Sequence, residues 1–587
     1  MPAVSSDPSR TSAGLTRRWR LASDLGPGDS DVVGRVLAAR GLIDPDEARA
    51  FLEPRLTDLH DPSLIPDLDR AAERLLGALR RREPVVIWGD YDVDGVTAAA
   101  ILKHTAAAVA PDAPVRAYIP HRMDEGYGLN ADGLRALADD GARVVVTVDC
   151  GVTATDEARL ARELGVDLIV TDHHTPPSTE ADLPDAYAVV HPGRPDSAYP
   201  FPELTGAGVA YKLAWRLATL AARSERVPAP IRDLLIEMLA PAAMGTIADV
   251  APLVGENRVI ARFGLRRVRA TPLLGLRALI EASGLAGERI GTEEVGFRLA
   301  PRLNACGRMG HAREALELLL TTDPARAAHL AQRLTRLNDE RRRVESAITT
   351  QAARRAEDAG MTGDAAHAIV LADPGWHAGV IGIVCSRLVE RFHVPAVLLQ
   401  DAGDRLHGSC RSVDGLDIHA ALSDCRAHLT TFGGHAMAAG LSLAADRLGA
   451  FTEAFTRAVE RRRPPGPRTP VITVDCDAAL DELTVPAVRR LTDLGPFGRG
   501  NPRPRVRLAG LRLTEPPRAL GAAGAHLKLT VGAGGRAMRL VAWGWGERRA
   551  ELRTGATIDA VVEPRINAWR GVETVEPHLS DLAVRDA

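Results

Sequence analysis

Between residues 85 and 190, short runs of consecutive apolar residues alternate with longer stretches whose apolar positions recur every three to four residues. Val85–Trp88, Val115–Ile119, Arg143–Val148, Asp167–Val170 and Ala186–Val190 are the short runs, and Val96–Val109 and Thr155–Leu164 are among the helical stretches between them. Buried strands alternating with helices predict a parallel sheet in an α/β domain. Residues 21–82 carry helical spacing at Val32–Ala39, Pro45–Leu52 and Ala71–Arg82, and residues 206–320 are mainly helical in pattern. Asp323-Pro324 then marks a helix start, and Leu330, Leu334, Leu337, Arg341, Val344 and Ile348 follow at steps of four and three, giving one face of a long helix that stops near Ala359-Gly360.

A second α/β pattern begins at Ala368–Ala372, with a helix at Val380–Phe392 and a strand at Pro395–Leu399. Arg461–Pro470 has the composition of a linker. Beyond it, Arg505–Leu513, His526–Val531, Arg536–Trp543 and Thr557–Glu563 alternate with Gly/Pro turns, predicting an all-β module. The expected organisation is a disordered tail over residues 1–20, a catalytic α/β domain with N-terminal helices over 21–322, a connecting helix over 323–360, a second α/β domain over 361–462, a linker over 463–470 and a β-module over 471–587.

No run approaches the ~20 apolar residues that span a bilayer, so no membrane partner is expected. The six cysteines are scattered without a C-x-x-C pair, which speaks against a disulfide framework and fits the reducing cytoplasm. All but three of the 73 basic residues are arginines. A GC-rich coding bias accounts for that, yet the guanidinium remains a bidentate phosphate ligand. Between Pro486 and Ala550, twelve arginines and one lysine face only Asp493, Glu515 and Glu547, which is either a nucleic-acid footprint or a solvated face.

The candidate chemistry lies at strand ends. The first strand runs into Gly89-Asp90-Tyr91-Asp92-Val93-Asp94-Gly95, a second ends in Asp149-Cys150-Gly151, and a third in Thr171-Asp172-His173-His174. An EF-hand is excluded for the first motif, because its twelfth position is Ile101 and the loop follows a strand. Carboxylates this close repel unless a cation neutralises them. In an open α/β sheet, the carboxyl ends of the strands share one ligand-binding edge. Mixed Asp and His ligands suit Mn²⁺, and Mg²⁺ less strongly. Asp249, in Gly245-Thr246-Ile247-Ala248-Asp249-Val250, is a further acid of this set.

These motifs resemble those of the DHH phosphoesterase family. Within it, Gly245–Val250, Pro301–Arg308, Gly375–Gly379, Gly408–Ser412 and Gly433-Gly434-His435 resemble the RecJ group of single-strand-specific 5′→3′ exonucleases, and the likeness runs from about residue 65 to the C-terminus. The resemblance implies two α/β domains, DHH and DHHA1-like, joined by a long helix, plus a C-terminal OB-fold entered at Gly495–Pro502. It implies two Mn²⁺ or Mg²⁺ ions held by Asp92, Asp94, Asp149, His173 and Asp249, with Asp149 bridging. Asp90 would act just behind the ligands and His174 would face the scissile phosphate. Arg122, Ser409, Arg411 and His435, with Arg308 and Asn304 as weaker candidates, would hold a 5′-phosphate.

The implied reaction is hydrolysis of single-stranded DNA to nucleoside 5′-monophosphates in recombination and repair, alongside a helicase and a single-strand-binding protein. Many family members have a metal-binding histidine where this chain has Trp88. Trp543, Trp545 and Trp569 are expected either to stack bases or to pack a core. Competing readings are another phosphodiesterase of the family acting on very short substrates, such as a nano-RNase, and a non-catalytic scaffold.

Overall fold

The computed structural model describes residues 11–122, 124–463, 468–521 and 523–585. They divide into two compact units, one of residues 56–463 and the other of residues 11–55 with 468–585.

The first unit opens on a parallel sheet. Its elements are β1 (Val85–Gly89), α1 (Val93–Val109), β2 (Val115–Tyr118), β3 (Val144–Val148), β4 (Asp167–Thr171) and β5 (Ala188–Val190), with strand order β2-β1-β3-β4-β5. Every neighbouring pair is parallel. β1 and β3 are buried along their whole length, as continuous β-branched runs must be when helices cover both faces. On one face, Val85, Ile87, Val144, Val146 and Val148 pack against α1, α2 (Gly206–Ala222) and α3 (Ala229–Ala248). On the other, Val86, Trp88, Val145 and Val170 pack against helices Ala131–Asp139 and Thr155–Glu163.

α4 (Ala300–Met309) leads to α5 (Pro324–Asp358), capped by the Asp323 carboxylate, which accepts from Ala325 N–H at 2.9 Å. At 1.5 Å per residue, the 35 residues of α5 extend about 52 Å. Its first half buries Leu330, Ala331 and Leu334 in the core of the parallel sheet domain. Its second half buries Ile348, Ala352, Ala353 and Ala356 against a second α/β layer. That layer contains β6 (Ile369–Asp373), α6 (Ala378–Phe392), β7 (Ala396–Asp401), β8 (Arg405–Arg411), β9 (Thr431–Gly434) and β10 (Ala438–Ala444), ordered β9-β10-β8-β7-β6. Only β6 and β7 are parallel; the rest are antiparallel.

In the second unit, strands Val506–Leu513, Thr557–Glu563, His578–Arg585, Arg536–Ala542 and His526–Ala533 pair in that order, and the last pairs back to the first. The sheet therefore closes into the five-stranded barrel of an OB-fold.

The N-terminal expectations need correction. Residues 1–10 lie outside the described residues, but the rest of the expected disordered tail is structured. Thr11–Ala13 and Arg18–Leu21 are strands, and the second pairs in parallel with Val471–Val474. Helix Val32–Ala39, assigned from sequence to the catalytic domain, instead buries Val32, Val33 and Val36 in the barrel core. The cause is tertiary. Trp19 is buried, and its indole N–H donates to Asp581 Oδ2 at 2.8 Å. Asp581, fully buried on the last barrel strand, also accepts from the backbone N–H groups of Thr16 and Arg17 and from the Thr16 hydroxyl. Arg35 pairs with Glu482 at 2.8 Å, and Arg40 with Asp475 at 3.1 Å. Half of the expected linker over 463–470, residues 464–467, lies outside the described residues.

Asp581→Ala should leave the buried Trp19 N–H and two backbone N–H groups without acceptors, at about 1–3 kcal/mol for each group that stays dry. Hydrogen exchange should show faster exchange across residues 11–21 and 471–474 with a lower melting temperature. Unchanged protection there would show that Asp581 does not hold this segment.

Candidate metal centre and phosphate pocket

The three aspartates of the first motif occupy the turn from β1 into α1, and each is held differently. Asp92 is the N-cap of α1; its Oδ1 accepts from Asp94 N–H at 2.9 Å and Gly95 N–H at 3.1 Å. Asp94 is buried and receives the start of α2, accepting from Gly206 N–H at 2.6 Å and Ala207 N–H at 3.0 Å. A helix N-terminus is a natural seat for an anion. That approach requires glycine: a Cβ on Gly206 would lie 2.6 Å from Asp149 Cβ, and one on Gly245 would lie 2.4 Å from Asp94 Oδ1. Asp90, also buried, leaves Oδ1 without a hydrogen bond.

Asp149 follows β3 with φ at +66°, a left-handed conformation that aspartate tolerates better than most residues. His173 follows β4, and its Nε2 lies 3.0 Å from Asp149 Oδ1, 3.6 Å from Asp94 Oδ2 and 4.0 Å from Asp249 Oδ2. Asp249 caps the C-terminal end of α3 and is more open than the others.

Three groups result among the described residues, linked through Asp149 and His173. Asp90, Asp92 and Asp149 each place a ligand atom within 4.8 Å of the others, as do Asp94, His173 and Asp249, while Asp149 also groups with His173 and His174. Burial, and then the neighbouring carboxylates, raise Asp90, Asp94 and Asp149 well above the usual carboxylate range. Burial pulls His173 down to about 3, which keeps its imidazole neutral, the form that ligates metal. Asp149 Oδ1 and His173 Nε2 are buried and 3.0 Å apart, yet neither makes a hydrogen bond. A divalent cation fits this donor set, satisfying both atoms and offsetting the crowded negative charge.

Asp172 supports the histidines. Its Oδ1 accepts from His174 Nδ1 at 2.8 Å and from the backbone N–H of His173 at 2.7 Å, and its Oδ2 accepts from Val152 N–H at 2.9 Å. Burial would raise Asp172, but the hydrogen bond and charge of His174 outweigh it and hold this acid well below the usual range. Burial likewise opposes the charge on His174, but Asp172 outweighs it and lifts that histidine to about 9. Tyr127 places its hydroxyl 3.3 Å from His174 Nε2. Tyr91 meets Tyr127 edge-on at 6.3 Å and carries the Arg122 guanidinium over its ring at 4.6 Å.

The basic candidates come from both α/β layers. Arg308, on α4, donates to the Gly379 carbonyl on α6 at 3.0 Å. Burial, with the charges of Arg122, Arg341 and Arg411, lowers it to about 9, and Asp92 acts in the opposite sense. Asn304, on the same helix, accepts from Val93 N–H at 3.0 Å and so holds the aspartate turn. Ser409 and Arg411 lie on β8, where Ser409 pairs with Gly440 and Arg411 with Ala438. Gly433 pairs with the same Gly440, and His435 stands in the turn where its N–H donates to Ala438 O at 2.8 Å. The register thus brings Ser409, Arg411 and the Gly433–His435 turn to neighbouring positions.

Three family models match in chain order: the DHH family N-terminal domain over residues 84–242, the DHHA1 domain over 364–461 and the RecJ OB domain over 474–581. The single-stranded-DNA-specific exonuclease RecJ of Bacillus subtilis (strain 168) is 38% identical over 557 residues, covering 94% of this chain and 68% of the relative. The chain belongs to the RecJ family. The crystal structure of Thermus thermophilus RecJ in complex with Mn²⁺ matches with a TM-score of 0.80 at 33% identity, covering 97% of this chain and 80% of that one. A second RecJ crystal structure, bound to manganese, matches with a TM-score of 0.59 at 38% identity, covering 70% of this chain and 97% of that one.

In this RecJ-family chain, Trp88 is fully buried on the sheet face away from α1, 4.6 Å from the Tyr118 ring, so it serves as core. Of the three tryptophans considered for base stacking, Trp545 is buried in the barrel core, whereas Trp543 and Trp569 are exposed. Sequence reasoning missed the roles of Asp172, Tyr127 and Gly206. Thr205-Gly206-Ala207-Gly208 is a legible helix start, but nothing local says that its N–H groups serve Asp94.

A folded protein whose buried acids are raised binds more protons than its unfolded chain, so the metal-free protein loses stability as pH rises above the ordinary carboxylate value. Asp149→Asn should therefore melt higher than wild type in EDTA at pH 7 and show little of the wild-type rise with Mn²⁺. A full Mn²⁺-induced rise in the variant would contradict a cation shared through Asp149. Gly206→Ala, which crowds Asp149, should weaken Mn²⁺ binding by about 10–100-fold, the range typical of residues supporting a metal site, as measured by calorimetry.

Proposed function

We propose that this chain is a metal-dependent, single-strand-specific DNA exonuclease that removes nucleoside 5′-monophosphates from a 5′-phosphorylated end. The observation that carries the reading is the pair of buried, unpartnered donors Asp149 Oδ1 and His173 Nε2, lying close to an arginine cluster suited to phosphate. Asp92, Asp94, Asp149, His173 and Asp249 would hold two Mn²⁺ or Mg²⁺ ions. Such ions supply Lewis acidity that neutralises phosphate oxygens and acidifies water. Asp172 orients His174 through Nδ1 and keeps it charged, so His174 holds a proton at Nε2 for the leaving oxygen. Asp90, whose carboxylate groups with those of Asp92 and Asp149, would act just behind the ligands.

Arg122, Arg308, Ser409, Arg411 and His435 would take the terminal phosphate, a guanidinium fork and a hydroxyl being suited to its oxygens. The relatives' names state single-stranded DNA as their substrate, and the barrel is of a kind that binds single strands. Work in recombination and repair beside a helicase and a single-strand-binding protein, in the cytoplasm, fits this substrate. No helix among the described residues is long and apolar enough to cross a membrane.

The test is digestion of 5′-labelled and 3′-labelled single strands and a blunt duplex with Mn²⁺. The 5′ label should leave first as mononucleotide while the duplex survives. Release of the 3′ label first, or hydrolysis confined to dinucleotides, would reject the reading. Asp92→Ala should abolish turnover. Arg411→Ala should lower the preference for a 5′-phosphate over a 5′-hydroxyl by about 10–100-fold, the range for hydrogen bonds to a charged group. Equal cutting of both ends by wild type and variant would remove Arg411 from the pocket.

A further inference from the structure

Two backbone irregularities both touch Ile247, two residues before Asp249, and each exposes an apolar side chain. Residues Val295–Leu299 form a π-helical turn directly before α4. Such turns are uncommon and gather at functional sites. This one carries Phe297, which is 81% exposed, more than any other large apolar side chain among the described residues. The second irregularity is Val250, with φ at +58°, a strained conformation for a β-branched residue, and 60% exposure. It directly follows the candidate ligand Asp249. Ile247 links the two features: Val250 N–H donates to its carbonyl at 3.2 Å, and a Cβ on Gly296 would lie 3.9 Å from its side chain. Exposing Phe297 and Val250 on segments that both touch Ile247 gains the fold nothing in hydrophobic burial.

The placement suggests an occupant. Asp90 and Asp92 lie on the side of the cluster whose field reaches Arg122 and Arg308, while Asp249 groups with Asp94 and His173. The π-turn and α4 run on as one helical segment, with Phe297 near its start, Asn304 beneath the aspartate turn and Arg308 near its end. Eleven residues at 1.5 Å each put Phe297 about 16 Å from Arg308 along the axis, farther than one phosphate step. A strand whose 5′-phosphate sat among the arginines would pass the aspartate–histidine cluster with its bases unpaired. We infer that Phe297, with Val250, is the platform on which a base 3′ of the scissile phosphate stacks. Aromatic stacking of this kind tolerates every base, as an exonuclease that consumes any sequence requires.

This inference rests on the exonuclease reading, and one experiment separates the two. The substrates are 5′-phosphorylated single strands, either intact or with abasic residues at nucleotides two to four, digested with Mn²⁺ by the full-length protein. For wild type, abasic residues should raise KM about tenfold, the scale of one lost stacking contact. Phe297→Ala should raise KM on intact strands by a similar factor, with kcat moving less, and should be nearly indifferent to abasic residues. Phe297→Trp should restore both the low KM and the sensitivity. Phe297 is exposed, so equal melting temperatures should show that the variants fold. Wild-type KM in Phe297→Ala, or an equal further loss on abasic strands in that variant, overturns the platform while leaving the exonuclease reading intact. A wild-type protein that cannot digest intact strands overturns the exonuclease reading, and the platform with it.

Discussion

Six aspartates and two histidines converge on one edge of a parallel sheet, and mutual repulsion among the buried carboxylates is the constraint the surrounding structure answers. Asp90, Asp94 and Asp149 are almost completely removed from water, where a lone charge is costly. The fold supplies part of the compensation from backbone. The start of α2 donates two N–H groups to Asp94, and Asp92 takes two more from its own helix. Asp149 Oδ1, Asp90 Oδ1 and His173 Nε2 remain unsatisfied. A site left that far from neutrality is built for cations, and their binding energy becomes part of the folded state's stability.

The long helix and α4 set where the second α/β layer stands relative to this cluster. A metal cluster alone cleaves phosphodiesters without polarity; an end-specific enzyme needs an anion pocket at a set distance. α5 buries its first half in one α/β layer and its second half in the other, so the spacing between layers is that of a continuous helix. α4 reaches across more closely. Asn304 holds the aspartate turn, and Arg308, one turn later, bonds the Gly379 carbonyl of the second layer. One short helix thus ties the aspartate turn to the second α/β layer, with the half-buried Arg308 making that tie.

The histidines show how neighbours separate two identical side chains. His173 and His174 are adjacent, with ring centroids 4.6 Å apart. His173 is half-buried with its Nε2 buried and without a hydrogen bond, and it is driven neutral, suited to a metal. The other is bonded to Asp172 and held charged, suited to donate a proton. Sequence places the pair; only Asp172 and the depth of each ring assign their chemistry.

By itself the sequence determined the α/β class, the three strand ends that carry acids and histidines, the long connecting helix and the β-module. These are local signals: β-branched runs, helical spacing, an Asp-Pro start, aspartates at strand ends. What it could not determine was set by contacts distant in the chain. Residues 11–55 belong with the C-terminal barrel because Trp19 finds Asp581 more than 500 residues away. Trp545 is core and Trp543 is surface although they are two residues apart, because the chain turns between them at Gly544, with φ at +77°. Antiparallel pairing of β8 with β10 put Arg411 beside the Gly433–His435 turn. Gly206 reads as an ordinary helix start until Asp149 is seen packed against it. Local pattern specifies elements because backbone and side-chain preferences act over a few residues. Burial, pairing and charge act through space, so the partners of a residue were decided only when the chain folded.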